Sequence, residues 1–167
     1  MPDKETLKRA HEDAREGKSP STQAGEFVRE EMDHIREGKH GAASTKQAIA
    51  IGLSKARRAG VKLPAPGKGK VSARTRAQAE RDSQKGRSHS RRKPSAKRSR
   101  ATSQALKKEG RSAASHQSLS KQARSTARQR GSAAHRSAMK AVRTKGAAGR
   151  SQSARKAART RSRSARG

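Results

Sequence analysis

Residues 19–60 read SPSTQAGEFVREEMDHIREGKHGAASTKQAIAIGLSKARRAG, and the fold turns on how this stretch is read. Ala24, Val28, Met32 and Ile35 recur at helical spacing with Phe27 alongside, behind Ser21 or Thr22 as a cap and ahead of a stop at Gly38. After a short connection, Ser44 and Gln47 have the S-x-x-Q form of a capping box. Ala48, Ile49, Leu53 and Ala56 then make the apolar stripe of a second helix, which stops at Gly60. The two stripes predict a helical hairpin with a core of Phe27, Val28, Met32, Ile35, Ile49 and Leu53. Ahead of it, residues 4–16 form a polar helix with Asp3 as cap and Gly17 past its end. Leu7 is its one large apolar side chain, so it is expected to fray.

Outside this hairpin the sequence offers little to bury. Only 28% of the 167 residues are apolar, much of that fraction is alanine, and Phe27 is the sole aromatic. Such a composition, with a net charge of +31, predicts a chain that is mostly disordered with an all-α N-terminal module, because apolar burial is too small to offset chain entropy. The expected organisation is a helical module over residues 1–63 with helices near 4–16, 21–37 and 44–59, then a Pro/Gly linker over 64–71. A disordered Arg/Lys/Ala/Ser-rich tail over 72–167 follows, with transient helices, among them a polar one over 72–85 ending at Gly86. The basic run RSHSRRKPSAKRSR is expected to stay extended and solvated.

Charge is divided along the chain. The first 40 residues hold ten of the thirteen acids, and the remaining 127 carry 36 of the 44 Lys and Arg against three acids. A polycation of this kind calls for a polyanion, and Lys and Arg gain affinity for phosphates by releasing condensed counterions whatever the base sequence. Arg outnumbers Lys, which favours bidentate phosphate contacts. The near absence of aromatics argues against stacking on single strands, so duplex DNA bound through its backbone is the expected partner, with RNA as an alternative. The residues expected to make these contacts are Lys55, Arg57 and Arg58 at the end of the third helix; Arg91, Arg92, Lys93, Lys97, Arg98 and Arg100 in the basic run; and Arg124, Arg128, Arg130, Arg155, Lys156, Arg159, Arg161, Arg163 and Arg166 in the tail. A helix-turn-helix would use the same positive side of the third helix. The connection is longer than the usual tight turn, however, and cations at a helix C-terminus favour the dipole in any case.

Other chemistries find no pattern. The six histidines, at 11, 34, 40, 89, 116 and 135, include no H-x-x-x-H pair, so no metal site is expected, and there is no cysteine for thiolate chemistry. Glu26, Glu30, Glu31 and Asp33 read as an exposed acidic face rather than as a general acid–base pair. PGKGKVS does not fit a phosphate-binding loop. Ser95, in RRKPS, and other serines that follow arginine are possible phosphorylation sites that would oppose phosphate binding. No enzyme activity and no cofactor are expected. No apolar run approaches a membrane span and the N-terminus lacks the apolar stretch of a signal peptide, which points to a cytoplasmic, nucleoid-associated location and away from membranes.

The segment STKQAIAIGLSKARRAGVKLP (44–64), with SPSTQAGEFVREEMDHIREGKHG before it, resembles a family of small basic bacterial proteins of unknown function, often labelled DNA-binding or plasmid-stabilisation proteins. The resemblance covers roughly residues 1–64 and brings no catalytic residues. The tail resembles the basic tails of linker histones and bacterial histone-like proteins, with more Arg and Ser and no repeated S-P-K-K motif. The expectation is a histone-like, sequence-nonspecific DNA-binding protein whose tail binds phosphate and whose helical module self-associates or meets a protein partner. An RNA- or ribosome-associated protein and a plasmid-maintenance component acting through protein contacts are the alternatives.

Overall fold

Three helices of 12 to 17 residues lead the chain: α1 (Lys4–Arg15), α2 (Pro20–Arg36) and α3 (Thr45–Arg58). They are followed by α4 (Ala73–Arg87), α5 (Ala96–Lys108), a 3-10 turn (Ser112–Ala114) and α6 (His116–Ser164). The computed structural model describes residues 2–88 and 95–164, and the chain divides into two units, residues 1–122 and 123–167. Among the described residues all regular structure is helical.

This overturns the expectation of a mostly disordered chain, and with it the transient tail helices and the extended basic run: residues 96–100 lie in α5, while 89–94 fall outside the described residues. The physical reason is local. Past Pro94 the sequence has no proline and is dominated by Ala, Arg, Lys, Gln and Ser, most of them good helix formers. Serine caps begin the helices: Thr75 N–H donates to Ser72 Oγ (3.1 Å) and Ser118 N–H to Ser115 Oγ (3.2 Å). Helix propensity outweighs the like-charge repulsion that argued for coil. Within unit 123–167, α6 has no apolar stripe, and Met139 and Val142 are exposed.

Unit 1–122 owes its packing to small residues. Eight of the eleven buried apolar residues are alanines; the others are Phe27, Met32 and Ile35. Phe27 sits with Ala10, Ala24 and Ala56, flanked by Leu7, Leu53, Val61 and Leu63. Met32 and Ile35 sit with Ala42, Ala48, Ala113 and Ala114, flanked by Val28, Ile49 and Leu119. Of the predicted core, Val28, Ile49 and Leu53 are thus at the edge. α1 is not frayed: Ala10 and Thr6 are buried, and Arg9 Nε donates to Glu26 Oε2 of α2 at 2.6 Å.

Alanine and glycine let backbones approach. A Cβ on Gly52 would lie 2.7 Å from Val28 Cα and 3.0 Å from the Phe27 oxygen, so α2 and α3 cross where α3 has no side chain. Gly86, read from sequence as a stop, lies inside α4, where a side chain would run into the Arg57 carbonyl oxygen of α3. The cap of α2 is Ser19, with Pro20 at the first helical position, rather than Ser21 or Thr22. At its other end Gly38, at φ 78°, reverses the chain, Lys39 N–H donates to the His34 oxygen (3.0 Å), and His40 is turned back toward α2.

The connection between α2 and α3 is held by residues far along the chain. Gly41 N–H donates to the Leu106 oxygen (2.9 Å) and Ala42 N–H to that of Gly110 (3.2 Å). Thr45 Oγ1 donates to the Ala113 oxygen (2.6 Å) and Arg36 Nε to that of Ala114 (3.2 Å).

Gly52→Ala is expected to destabilise the chain by about 1–3 kcal/mol, because the added methyl would run into the α2 backbone at Val28 and Phe27 and the Val28 side chain. Gly25→Ala, with nothing within 4 Å of the new atom, is expected to stabilise by about 0.5–1 kcal/mol through helix propensity. Chemical denaturation of the two variants checks both signs.

Candidate nucleic-acid interface

The three cations expected to bind phosphate from α3 are engaged inside the fold. Lys55 Nζ lies 2.7 Å from Glu31 Oε2 and 3.2 Å from Glu30 Oε1, both on α2. Burial alone would lower the Lys55 amine, but the Glu31 and Glu30 carboxylates outweigh it and hold it above its ordinary value. Arg57 is 7% exposed; its Nη2 donates to the Pro64 oxygen at 3.3 Å and its Nε has no partner. Burial lowers its pKa, against the pull of Asp82. Arg58 Nε donates to Asp82 Oδ1 at 2.7 Å, pinning α4 to α3. Of the positive side of α3 that a helix-turn-helix would need, Lys55 and Arg57 are taken into the fold, while Lys46 near its start and Arg58, although paired with Asp82, stay exposed.

Asp82 is the centre of the second pin. At 1% exposure its carboxylate also accepts from Ser54 Oγ (2.6 Å) and Gln78 Nε2 (3.0 Å). The other acid of α4, Glu80, accepts from Arg76 Nε at 2.9 Å. Two of the three acids beyond residue 40 are in this way spent within α3 and α4, and the last, Glu109, precedes the 3-10 turn.

What remains is a run of cations without acids. α5 and α6 contain no Asp or Glu. Lys97, Arg98 and Arg100 on α5 are exposed, as are Arg124, Arg128, Arg130, Arg155 and Lys156 on α6. Lys97 and Arg98 stand in the first turn of α5, where the helix dipole disfavours positive charge, so helix stability does not account for them. Arg124 and Arg128 are four residues apart on one face of α6, a like-charge spacing that weakens a helix until an anion bridges it. Arg159, Arg161 and Arg163 belong to α6 with side chains outside the description, and Arg91, Arg92, Lys93 and Arg166 lie outside the described residues. No described helix is long and apolar enough to cross a membrane.

The acids on α2 are not the exposed face read from sequence. Glu30 and Glu31 are buried, and Glu26 is taken by Arg9. Sequence reasoning missed this because a charged residue between apolar positions reads alike whether it is solvated or paired.

Burial by itself would raise the Asp82 carboxyl, but the hydrogen bonds from Ser54, Arg58 and Gln78 and the Arg58 charge hold it below its ordinary 3.8. A lowered folded value means that its stabilisation is complete above 3.8 and disappears as pH falls through the folded value. Asp82→Asn is expected to cost about 1–3 kcal/mol at pH 7, with the gap to the parent chain closing as the pH falls through the folded value of Asp82, below 3.8. Thermal denaturation at neutral pH and along that fall measures it.

Residues 15–68 match the model of a family described as a family of unknown function (DUF6496). No curated protein and no solved structure matches the chain.

Proposed function

We propose that this protein binds nucleic acid without sequence preference, chiefly duplex DNA, through the exposed Arg and Lys of α5, α6 and the basic sequence around them. The observation that carries this reading is the acid-free run beyond Glu109: 16 Lys and Arg follow it with no Asp or Glu among them, 14 of them within α6, which beyond Leu119 has no apolar stripe to bury. Over residues 123–164 a helix rising about 1.5 Å per residue extends roughly 60 Å, long enough to follow many successive phosphates of a duplex.

Contacts of this kind position the protein on the backbone without reading bases. The residues placed in contact are Lys97, Arg98, Arg100, Arg124, Arg128, Arg130, Arg155 and Lys156. Lys55, Arg57 and Arg58 are assigned instead to the fold. A nucleoid-associated or histone-like role in the cell follows from the same reading.

Fluorescence anisotropy with a labelled duplex across a salt series tests it. If about eight cations engage, log K is expected to fall with log salt at a slope of about −7. Replacing Arg124, Arg128 and Arg130 together by Gln is expected to make that slope shallower by up to about 2.7. Arg58→Gln is expected to lower stability and leave the slope unchanged. Absence of duplex binding at low salt overturns the reading, and tighter binding of structured RNA at equal salt replaces DNA with RNA as the partner.

A further inference from the structure

We propose that Glu31, His34 and His40 form a binding site for one divalent transition-metal ion, for which zinc is the natural probe. Glu31 and His34 are three residues apart on α2 and so share a face, and the reversal at Gly38 brings His40 back to them. One ligand atom from each of the three lies within 4.8 Å of the other two. The imidazole rings meet edge to face, with centroids 6.1 Å apart.

Hydrogen-bond chemistry gives the site its polarity. His40 Nδ1 is 3.1 Å from the Gly41 carbonyl oxygen, which can only accept, so Nδ1 carries a proton and Nε2 is the nitrogen left for a metal ion. That Nε2 faces Glu31 Oε1 at 3.3 Å. A metal ion bound between them takes one lone pair from each. The separation matches a ligand-to-ligand edge of about 3.3–3.4 Å in a tetrahedral site with bonds of about 2.0–2.1 Å. His34 repeats the arrangement: Nε2 is 3.2 Å from Asp3 Oδ2, which fixes the proton there and leaves Nδ1 as the donor atom. A histidine that gives one N–H to a carbonyl or carboxylate and keeps the other nitrogen bare is held as metal-ligating histidines are held.

Burial supplies a second, independent argument. The Glu31 side chain is 0% exposed and neither of its oxygens has a well-formed hydrogen bond; Lys55 Nζ is close to Oε2, off the line of a directed bond, and Oε1 is left to His40. Glu30, its side chain 3% exposed, adds a second carboxylate against the same single amine. Lys55 thus faces two carboxylates, so Glu30, Glu31 and Lys55 together carry one surplus negative charge, and Asp3 adds another at their edge. A divalent cation balances both. Imidazole and carboxylate donors suit zinc and its first-row neighbours over calcium or magnesium. His34 and His40 are 13% and 18% exposed, which leaves a side from which an ion can enter and a water can complete the shell.

The test is isothermal titration of zinc chloride into the full chain, freed of metal with EDTA. One equivalent is expected to bind at micromolar or tighter affinity. His34→Gln and His40→Gln are each expected to weaken it at least tenfold. The quadruple variant His11→Gln, His89→Gln, His116→Gln, His135→Gln is expected to retain it. Asp3→Asn, which removes only the partner of His34, is expected to weaken binding less than His40→Gln does. Asp3, Glu30 and His34 also lie within 4.8 Å of one another, so binding that survives His40→Gln and is lost in Asp3→Asn overturns the assignment. So does wild-type binding no tighter than that of the double variant His34→Gln, His40→Gln. Should the variants fail to fold, histidine-ring NMR of the wild-type chain decides. His34 and His40 shifting before the other histidines as the first equivalent is added supports the site, and any other order overturns it.

Discussion

The ion pair of Glu31 with Lys55 is the contact around which unit 1–122 is arranged. Two carboxylates of α2, Glu30 and Glu31, enter the interface with α3 almost wholly out of water, and the amine of Lys55 meets both. Charges removed from water at such cost need a partner at close range, so α3 cannot slide or rotate against α2 without stranding one of them. That constraint sets the register in which Phe27 and Val28 face Gly52, and in which Ala48 and Ala56 close the two small cores. His40 Nε2 lies 3.3 Å from Glu31 Oε1 and His34 Nδ1 3.9 Å from Glu30 Oε1 beside this pair.

With few large side chains available, the unit substitutes proximity for bulk. Alanines and Gly52 bring backbones together, so dispersion contacts among main-chain and methyl groups do what leucines and aromatics do in richer cores. Polar pins complete each interface. Arg9 with Glu26 joins α1 to α2, and Arg58 and Ser54 with Asp82 join α3 to α4. Thr45 and Arg36 hold the carbonyls of the 3-10 turn. A surplus of cations is thereby sorted: many of those beside an acid become part of the scaffold, and the cations of α5 and α6 whose side chains are described lie exposed on helices that contain no acid.

On the proposed reading, this sorting separates stability from binding. Within unit 1–122, the cations of α3 that look most like a recognition surface are structural, whereas Lys97 and Arg98 stand where the helix dipole opposes them. Nonspecific affinity built from such dispersed charges depends on their number more than on their pattern, which suits an acid-free helix with no apolar side.

The sequence by itself determined the local events. The breaks at Gly17, Gly38 and Gly60, the cap at Ser44 and the burial of Phe27, Met32 and Ile35 follow from residue chemistry within a few positions, where propensity and periodicity act. Its overall composition misled, because the entropy argument counted large apolar residues and overlooked how closely alanine and glycine helices pack. Only the tertiary structure decided which charges are buried. Glu31, Arg57 and Asp82 carry nothing in their neighbours to distinguish them from solvated residues, and their partners lie more than 20 residues away for Glu31 and Asp82. The convergence of Glu31, His34 and His40 was half legible, since Glu31 and His34 share one face of α2, but His40 joins them only through the reversal at Gly38. Gly86, a stop by local rules, is a packing position because Arg57 lies against it. Long-range electrostatics and close approach are properties of pairs, and a single sequence shows only one member at a time.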